Sequence, residues 1–333
     1  MGAAQAKRCE QFWISIVTDD IEDKGGHAGL MRYDAVLIAG PTASGKSAAA
    51  LELARHIGGA LINADAMQVY REAPILTAQP DAKAQAEVPH LLYGHVSVRE
   101  LYSVGRYAED ARRALAEARA LGKVPIFVGG TGLYFTALTE GLADIPPIPA
   151  DIREGARTLL DEIGVGELHA RLSARDPETA AALRPTDPQR VVRAWEVLEA
   201  TGRPMIQWRK EQNPPLLEGM TLARFVLDPP RPLLRQHIAE RFEGMLDHGG
   251  EEEALALAGL DPALPAAKLL GLRQLIAHAE GKLSREEATA GAVTATRQFA
   301  KRQLTWFRNR MADYSWFDPY ISNIIAQYDK FDA

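Results

Sequence analysis

The most constraining feature of the chain is an eight-residue stretch, Gly40-Pro41-Thr42-Ala43-Ser44-Gly45-Lys46-Ser47. It fits the pattern G-x-x-x-x-G-K-[ST], and it follows an apolar run, Ala35–Ala39, and opens an Ala/Leu-rich helical pattern over 46–57. A strand–loop–helix unit of this kind turns its backbone N–H groups toward a polyphosphate. The new helix adds its positive dipole end, Lys46 bridges phosphate oxygens, and Ser47 offers a hydroxyl to Mg²⁺. The motif identifies a phosphate group and leaves the rest of the ligand open.

The chain then alternates. A short strand is expected at Ala60–Asn63, a helix over 107–121, and a third strand at Val124–Val128 closed by Gly129-Gly130-Thr131-Gly132. Unbroken apolar strands separated by helices imply a parallel sheet covered on both faces. Pro146, Pro147 and Pro149 punctuate the chain, and 150–210 reads as wholly helical with breaks at 164–166 and 184–185. A strand returns at Ala223–Leu227 before a helical C-terminal third. The expected fold class is α/β: a P-loop parallel-sheet core with helices on both faces and an all-helical insertion. The core takes 31–140 and about 220–315, the insertion about 141–219, and 316–333 is left as a C-terminal tail. Residues 1–30 read as an extension. Their apolar island Phe12–Val17 is too short for a signal segment, so the folded protein is expected to begin near Met31.

Composition narrows the function. Thirty-eight Lys+Arg against 44 Asp+Glu give a net charge of −6, which excludes nucleic-acid binding by the whole surface and leaves room for a local basic patch. With Cys9 the only cysteine and no apolar stretch near the ~18 residues of a membrane span, a cytoplasmic protein is expected. The third strand ends without Asp or Glu, where a nucleoside triphosphatase places its second Mg²⁺ ligand. That disfavours motor-type ATP hydrolysis and favours transfer chemistry on a small diphosphate or triphosphate.

Asp65 follows the second strand and would face the same crevice as the phosphate loop. Two readings stand side by side: a carboxylate that takes a proton or binds metal, or the cap of a helix beginning at Ala66. Thr131 is similarly open between a cap and a hydroxyl aimed into the crevice. Residues 296–310 contain no acid; Arg297, Lys301 and Arg308 form either a phosphate-binding face or the solvated side of a core helix. The run Glu251-Glu252-Glu253 is expected to face solvent, and Trp195, Trp208 and Trp306 to pack in cores. His90 and His95 lack metal-ligand spacing, so no zinc site is expected.

Together, GPTASGKS, DAMQVYR, VPIFVGGTGLYF, DPQRVVRAWEV, HIAERFEGML, KLLGLRQL and TRQFAKRQLTWFRN resemble the bacterial tRNA dimethylallyltransferase (tRNA isopentenyltransferase) family, in family order from about residue 34 to 310. The resemblance implies transfer of a dimethylallyl group from dimethylallyl diphosphate to the exocyclic amine of the adenosine 3′ of the tRNA anticodon, with Mg²⁺ as cofactor. By the same resemblance Asp65 is the general base on that amine, Thr42 donates to the bridging region of the diphosphate, and Arg241 meets charge on the leaving group. It places tRNA contacts at Asp65, Ala66, Met67 and Gln68, at Thr131 and Arg153, at Gln189, Arg190, Val191, Val192 and Arg193, and at Lys268, Leu269, Leu270, Gly271, Leu272 and Arg273. From the residues alone, Arg190 and Arg193 read first as a solvated face pairing with Glu196. The chain departs from the family pattern with Ser47 for a frequent Thr, Ala66 for Ser and Gln79 for Lys, the last removing a cation. The partners implied are the anticodon stem-loop and the diphosphate, with the chain a monomer. A P-loop small-molecule kinase is the alternative enzyme, and a nucleotide-gated RNA-binding protein the alternative outside enzymes.

Overall fold

The computed structural model describes residues 33–330, and the expected extension at 1–30 lies outside them. Six strands build one sheet: β1 Ala35–Ala39, β2 Gly59–Asn63, β3 His90–Leu91, β4 Val124–Gly129, β5 Leu222–Leu227 and β6 Ser315–Phe317. They run parallel in the order β3-β2-β4-β1-β5-β6. Every residue of β1, β2 and β4 is buried, which is why these strands read as unbroken apolar runs. β1 divides its side chains by the strand period. Ala35, Leu37 and Ala39 join one core with Tyr107, Phe135 and Phe307, whereas Val36 and Ile38 join the other with Leu53, Phe225 and Tyr328.

Register sets the site. Ala39 lies opposite Gly129 on one side and Val226 on the other, and Asn63 lies opposite Val128. The loops leaving β1, β2, β4 and β5 therefore emerge at one level, on the carboxyl edge where open parallel sheets bind ligands.

The helices Ala150–Arg175, Pro177–Ala181, Pro188–Thr201 and Met205–Lys210 gather a separate apolar cluster that includes Leu168, Leu172, Val191, Val197 and Met205. The first of them bends at Gly164, with φ 75°. Trp195 and Trp208 pack against this cluster and Trp306 against the main core, as expected.

The segment set off as a tail from 316 is part of the sheet. β6 pairs with β5, Phe225↔Ser315 to Leu227↔Phe317. Beyond it, helix Ile324–Lys330 packs on helix Lys46–Ile57 with Ile324 and Tyr328 buried. Three residues of strand and two turns of helix are too short for periodicity to register. Among the described residues no helix is long and apolar enough to cross a membrane.

Candidate active site

Four segments converge on the carboxyl edge. The first is the phosphate loop. Its Gly40 N–H donates to Gly129 O at 3.3 Å and its Ser44 N–H to Pro41 O at 3.2 Å. Ala43 holds φ 62°, a left-handed backbone that costs a non-glycine residue on the order of 1 kcal/mol. Lys46 is buried and donates from Nζ to Pro41 O at 3.3 Å. Burial pushes its ammonium down to about 8; Asp65 opposes the shift and Arg241 adds to it. Ser47 is exposed at the first helical turn, while Ser44 Oγ is buried with no hydrogen-bond partner.

The second segment carries Asp65. Buried Asn63 shapes it: Nδ2 donates to Asp65 O at 2.9 Å and Leu92 O at 3.1 Å, and Oδ1 accepts from Asp65 N at 2.8 Å. Asp65 Oδ1 accepts from Met67 N at 2.9 Å, closing an Asx-turn. No helix begins at Ala66, so Asp65 is not a helix cap; the next helix is Pro74–Thr77. Asp65, Ala66 and Met67 are half-buried. Gln68 is buried and braces the chain instead, its Nε2 donating to Thr77 O and Ala78 O at 3.0 and 2.8 Å. Gln79 donates from Nε2 to Tyr70 O at 2.7 Å, so it closes a turn where the family resemblance leads one to expect a cation.

The third is the loop after β4. Thr131 stands at the N-cap of helix Gly132–Thr139 without a side-chain cap bond. Its Oγ1 accepts from Ala66 N at 2.8 Å and so holds the Asp65 turn.

The fourth is a pair of C-terminal helices. From Arg231–Asp247, Arg241 donates from Nη1 to Thr42 Oγ1 at 3.2 Å. Its guanidinium is lowered by burial, with Asp65 opposing. From Arg285–Arg310, Gln303 accepts the Thr42 N–H at 2.9 Å and donates to Gly130 O at 2.8 Å. Sequence reasoning passed over Gln303 because 296–310 drew attention for its cations. The signal was its place in the stripe Ala300, Gln303, Leu304, Phe307, which is the buried face of that helix.

A groove of about 890 Å³ brings Arg157, Arg190, Arg193 and Arg209 together with Lys268, Gln189 and Val192. Arg193 pairs with Glu196 at 3.2 Å, as the plainer reading had it, but Arg190 pairs with Asp187 at 3.5 Å. Arg157 and Arg209 were not anticipated, since only the folded helices bring them to this wall. The other residues expected from these segments lie outside the lining of this groove. Val191 is buried in the helical cluster, Leu269 and Leu272 in the main core. Leu270 lines a 30 Å³ void with Thr42 and Arg241. Gly271 caps the Leu272–Ala279 helix, Arg273 is exposed on it, and Arg153 is half-buried outside the groove lining.

On Arg285–Arg310, Arg308 is engaged with Asp228 at 3.2 Å and Arg310 with Glu140 at 2.9 Å, so the expected trio of Arg297, Lys301 and Arg308 does not stand as a free cluster. Nor do the three glutamates all face solvent. Glu253 is half-buried and accepts from Ile75 N and Leu76 N at 2.9 and 2.7 Å, bracing the first turn of the Pro74–Thr77 helix.

Residues 68–310 match the family model described as IPP transferase. The chain belongs to the IPP transferase family. Similar family members are the tRNA dimethylallyltransferases of Bradyrhizobium sp. strain BTAi1 (52% identical over 288 residues, 86% of this chain and 94% of the other) and of Methylocella silvestris (50% over 297 residues, 89% and 98%). Among solved structures, the fold is similar to the tRNA isopentenylpyrophosphate transferase of Bacillus halodurans at 34% identity and TM-score 0.59, covering 85% of this chain and 89% of that one. It is also similar, at TM-score 0.72 and 26% identity, to a eukaryotic dimethylallyltransferase acting on tRNA, covering 89% and 75%. The phosphate loop precedes the matched range and rests on its own geometry.

In this family member one buried and one half-buried cation, one loop of backbone donors and one carboxylate gather at the same edge of the sheet. That combination suits expulsion of an anionic leaving group at one end and loss of a proton at the other. The residues also fit a polyphosphate and its magnesium: Ser44 Oγ is an orphaned buried donor inside the loop, and the Ser47 hydroxyl is accessible beside it.

Proposed function

We propose that this transferase moves the dimethylallyl group of dimethylallyl diphosphate to N6 of the adenosine immediately 3′ of the tRNA anticodon and releases pyrophosphate. The family membership supports the reaction class. The observation that carries the residue roles is that half-buried Arg241 donates to Thr42 Oγ1 of the phosphate loop at 3.2 Å while buried Lys46 stands in the same loop, with Asp65 acting electrostatically on both.

In this reading the adenine N6 attacks the allylic carbon, the carbon–oxygen bond breaks, and its electrons leave with the diphosphate. Asp65 takes the proton from N6. Lys46 and Arg241 meet the charge that grows on the departing oxygen, the kind of preorganised stabilisation whose loss costs about 10²–10³-fold in rate. Thr42 Oγ1 accepts from Arg241, which leaves its own hydrogen free to donate to the leaving group. Mg²⁺ neutralises diphosphate charge when bound, and Ser47 is the residue that would hold it. The groove lined by Arg190, Arg193, Arg209 and Lys268 takes the phosphates of the anticodon stem-loop, and the target base must be unstacked to reach Asp65. The working form is a cytoplasmic monomer.

The test is incubation with Mg²⁺, unmodified tRNA and labelled dimethylallyl diphosphate, with labelled ATP in parallel. Label enters tRNA and ATP is untouched. Asp65→Asn lowers transfer by about 10²–10⁴-fold. Phosphoryl transfer from ATP without prenylation overturns the reading; full turnover by Asp65→Asn overturns the base assignment.

A further inference from the structure

One buried side chain joins the two halves of this site. Starting at the Asp65 turn, Ala66 N–H donates to Thr131 Oγ1 at 2.8 Å. The neighbouring Gly130 carbonyl accepts from Gln303 Nε2 at 2.8 Å, Gln303 Oε1 accepts from Thr42 N at 2.9 Å, and Thr42 Oγ1 accepts from Arg241 at 3.2 Å. The chain of contacts therefore runs from the proposed base, through one glutamine, to the proposed leaving-group contacts. Gln303 reaches both loops from a helix that begins only at Arg285, and the residue is 6% exposed.

We infer that Gln303 is a positioning residue that fixes the distance between Asp65 and the phosphate loop, rather than a contact to either substrate. This rests on the roles given above to Asp65, Thr42 and Arg241. Two further observations support it. A phosphate loop ordinarily turns its backbone N–H groups toward the anion, yet the Thr42 N–H is held by Gln303, so the glutamine selects which donors of the loop remain for a ligand. The fit at the other end is close: a Cβ on Gly130 would stand 2.3 Å from Gln303 Nε2 and 3.2 Å from Asp65 Oδ2. The glycine is what lets the glutamine and the aspartate meet over one backbone. An amide is the group the position demands, since it must accept from one loop and donate to the other. A carboxylate accepts only, and a hydrocarbon does neither.

Gln303→Met keeps length and volume and removes both hydrogen bonds; Gly130→Ala keeps Gln303 and displaces it. Each variant is measured for melting temperature, for kcat and KM of dimethylallyl transfer to tRNA, for tRNA affinity, and for the affinity of Mg²⁺-pyrophosphate by calorimetry. Expected for Gln303→Met is a kcat lower by about 10- to 100-fold and a pyrophosphate Kd higher by roughly tenfold, with tRNA affinity unchanged. Gly130→Ala is the second variant should Gln303→Met melt below the assay temperature. Its Cβ would meet Gln303 Nε2 at 2.3 Å but also Gly40 O of the phosphate loop at 3.3 Å, so passage through Gln303 is read from the double variant. The double variant should then show no further loss of pyrophosphate affinity beyond Gln303→Met alone. Folded variants with unchanged kcat and pyrophosphate Kd overturn the inference. So does activity that falls only in proportion to the folded fraction. The calorimetric arm does not require prenylation, so it still reports on Gln303 if wild-type protein fails to modify tRNA.

Discussion

Lys46 should destabilise the fold it serves. Its ammonium is buried, and burial moves its titration from an ordinary 10.5 down to about 8 despite the favourable field of Asp65. At about 1.4 kcal/mol per tenfold, holding the charge in place at pH 7 costs about 3 kcal/mol. Gln and Glu are poor controls because they keep a polar head in the same burial; Lys46→Met retains the chain length without it. The substitution loses the hydrogen bond to Pro41 O, worth about 1 kcal/mol. The variant is then expected to be more stable than the parent by about 2 kcal/mol at pH 7. In urea that moves the midpoint up by about 0.5–1 M, while transfer falls by at least about 10²-fold. The pH dependence carries the stricter test. Between about 8 and 10.5 the unfolded chain binds more protons at this lysine than the native protein does, so this group's contribution rises with pH across that window. The advantage of Lys46→Met should shrink as the pH rises and turn into a deficit of up to about 1 kcal/mol near pH 10.5, where the lost hydrogen bond outweighs what is left of the burial cost. A variant less stable than the parent at pH 7, or an advantage that does not change between pH 7 and 10, refutes the argument.

Three other expectations rest on described contacts. Mg²⁺-pyrophosphate affinity should fall by about tenfold between pH 7 and 9 as Lys46 loses its proton, and Lys46→Met should remove this part of the dependence in a calorimetric titration. Gly132→Ala places a Cβ 2.3 Å from the Trp306 ring, and overpacking at such a contact costs about 1–3 kcal/mol, measurable as a lowered urea midpoint at unchanged slope. tRNA affinity should fall with salt at a log–log slope of about 0.7–0.9 per phosphate contact, and Arg209→Ala, on the groove wall, should reduce that slope by about one contact.

What could be read in advance divides by distance along the chain. β1 and helix Lys46–Ile57 fell where the apolar run and the glycine-flanked lysine placed them, because a strand–loop–helix unit is decided by its own residues. Asp65 could be located at a strand end, but whether it caps or reacts depended on the conformation of the residues just after it. Met67 N closes an Asx-turn rather than a helix, and propensity does not separate the two. Gln303, Arg157 and Arg209 were beyond local reading. Gln303 acquires its role from Thr42 and Gly130, and the arginines from a groove wall formed by helices distant in sequence. Glu253 shows the same from the opposite side: an acidic run suggests solvent, but one of its members meets the backbone of a helix that starts at Pro74.

The order of the sheet has a consequence for the time course of folding. β1 is the first strand of the described residues and lies in the middle of the sheet, with Ala35 opposite Leu222 on one edge and Val36 opposite Ile126 on the other. Loop closure over such separations is slow. The phosphate loop is thus among the first parts of the described chain to leave the ribosome and among the last to be completed, since its Thr42 waits for Arg241 and then for Gln303. A partly made chain carries the whole sequence motif before Arg241 and Gln303 can reach Thr42, so these contacts form only with the C-terminal helices.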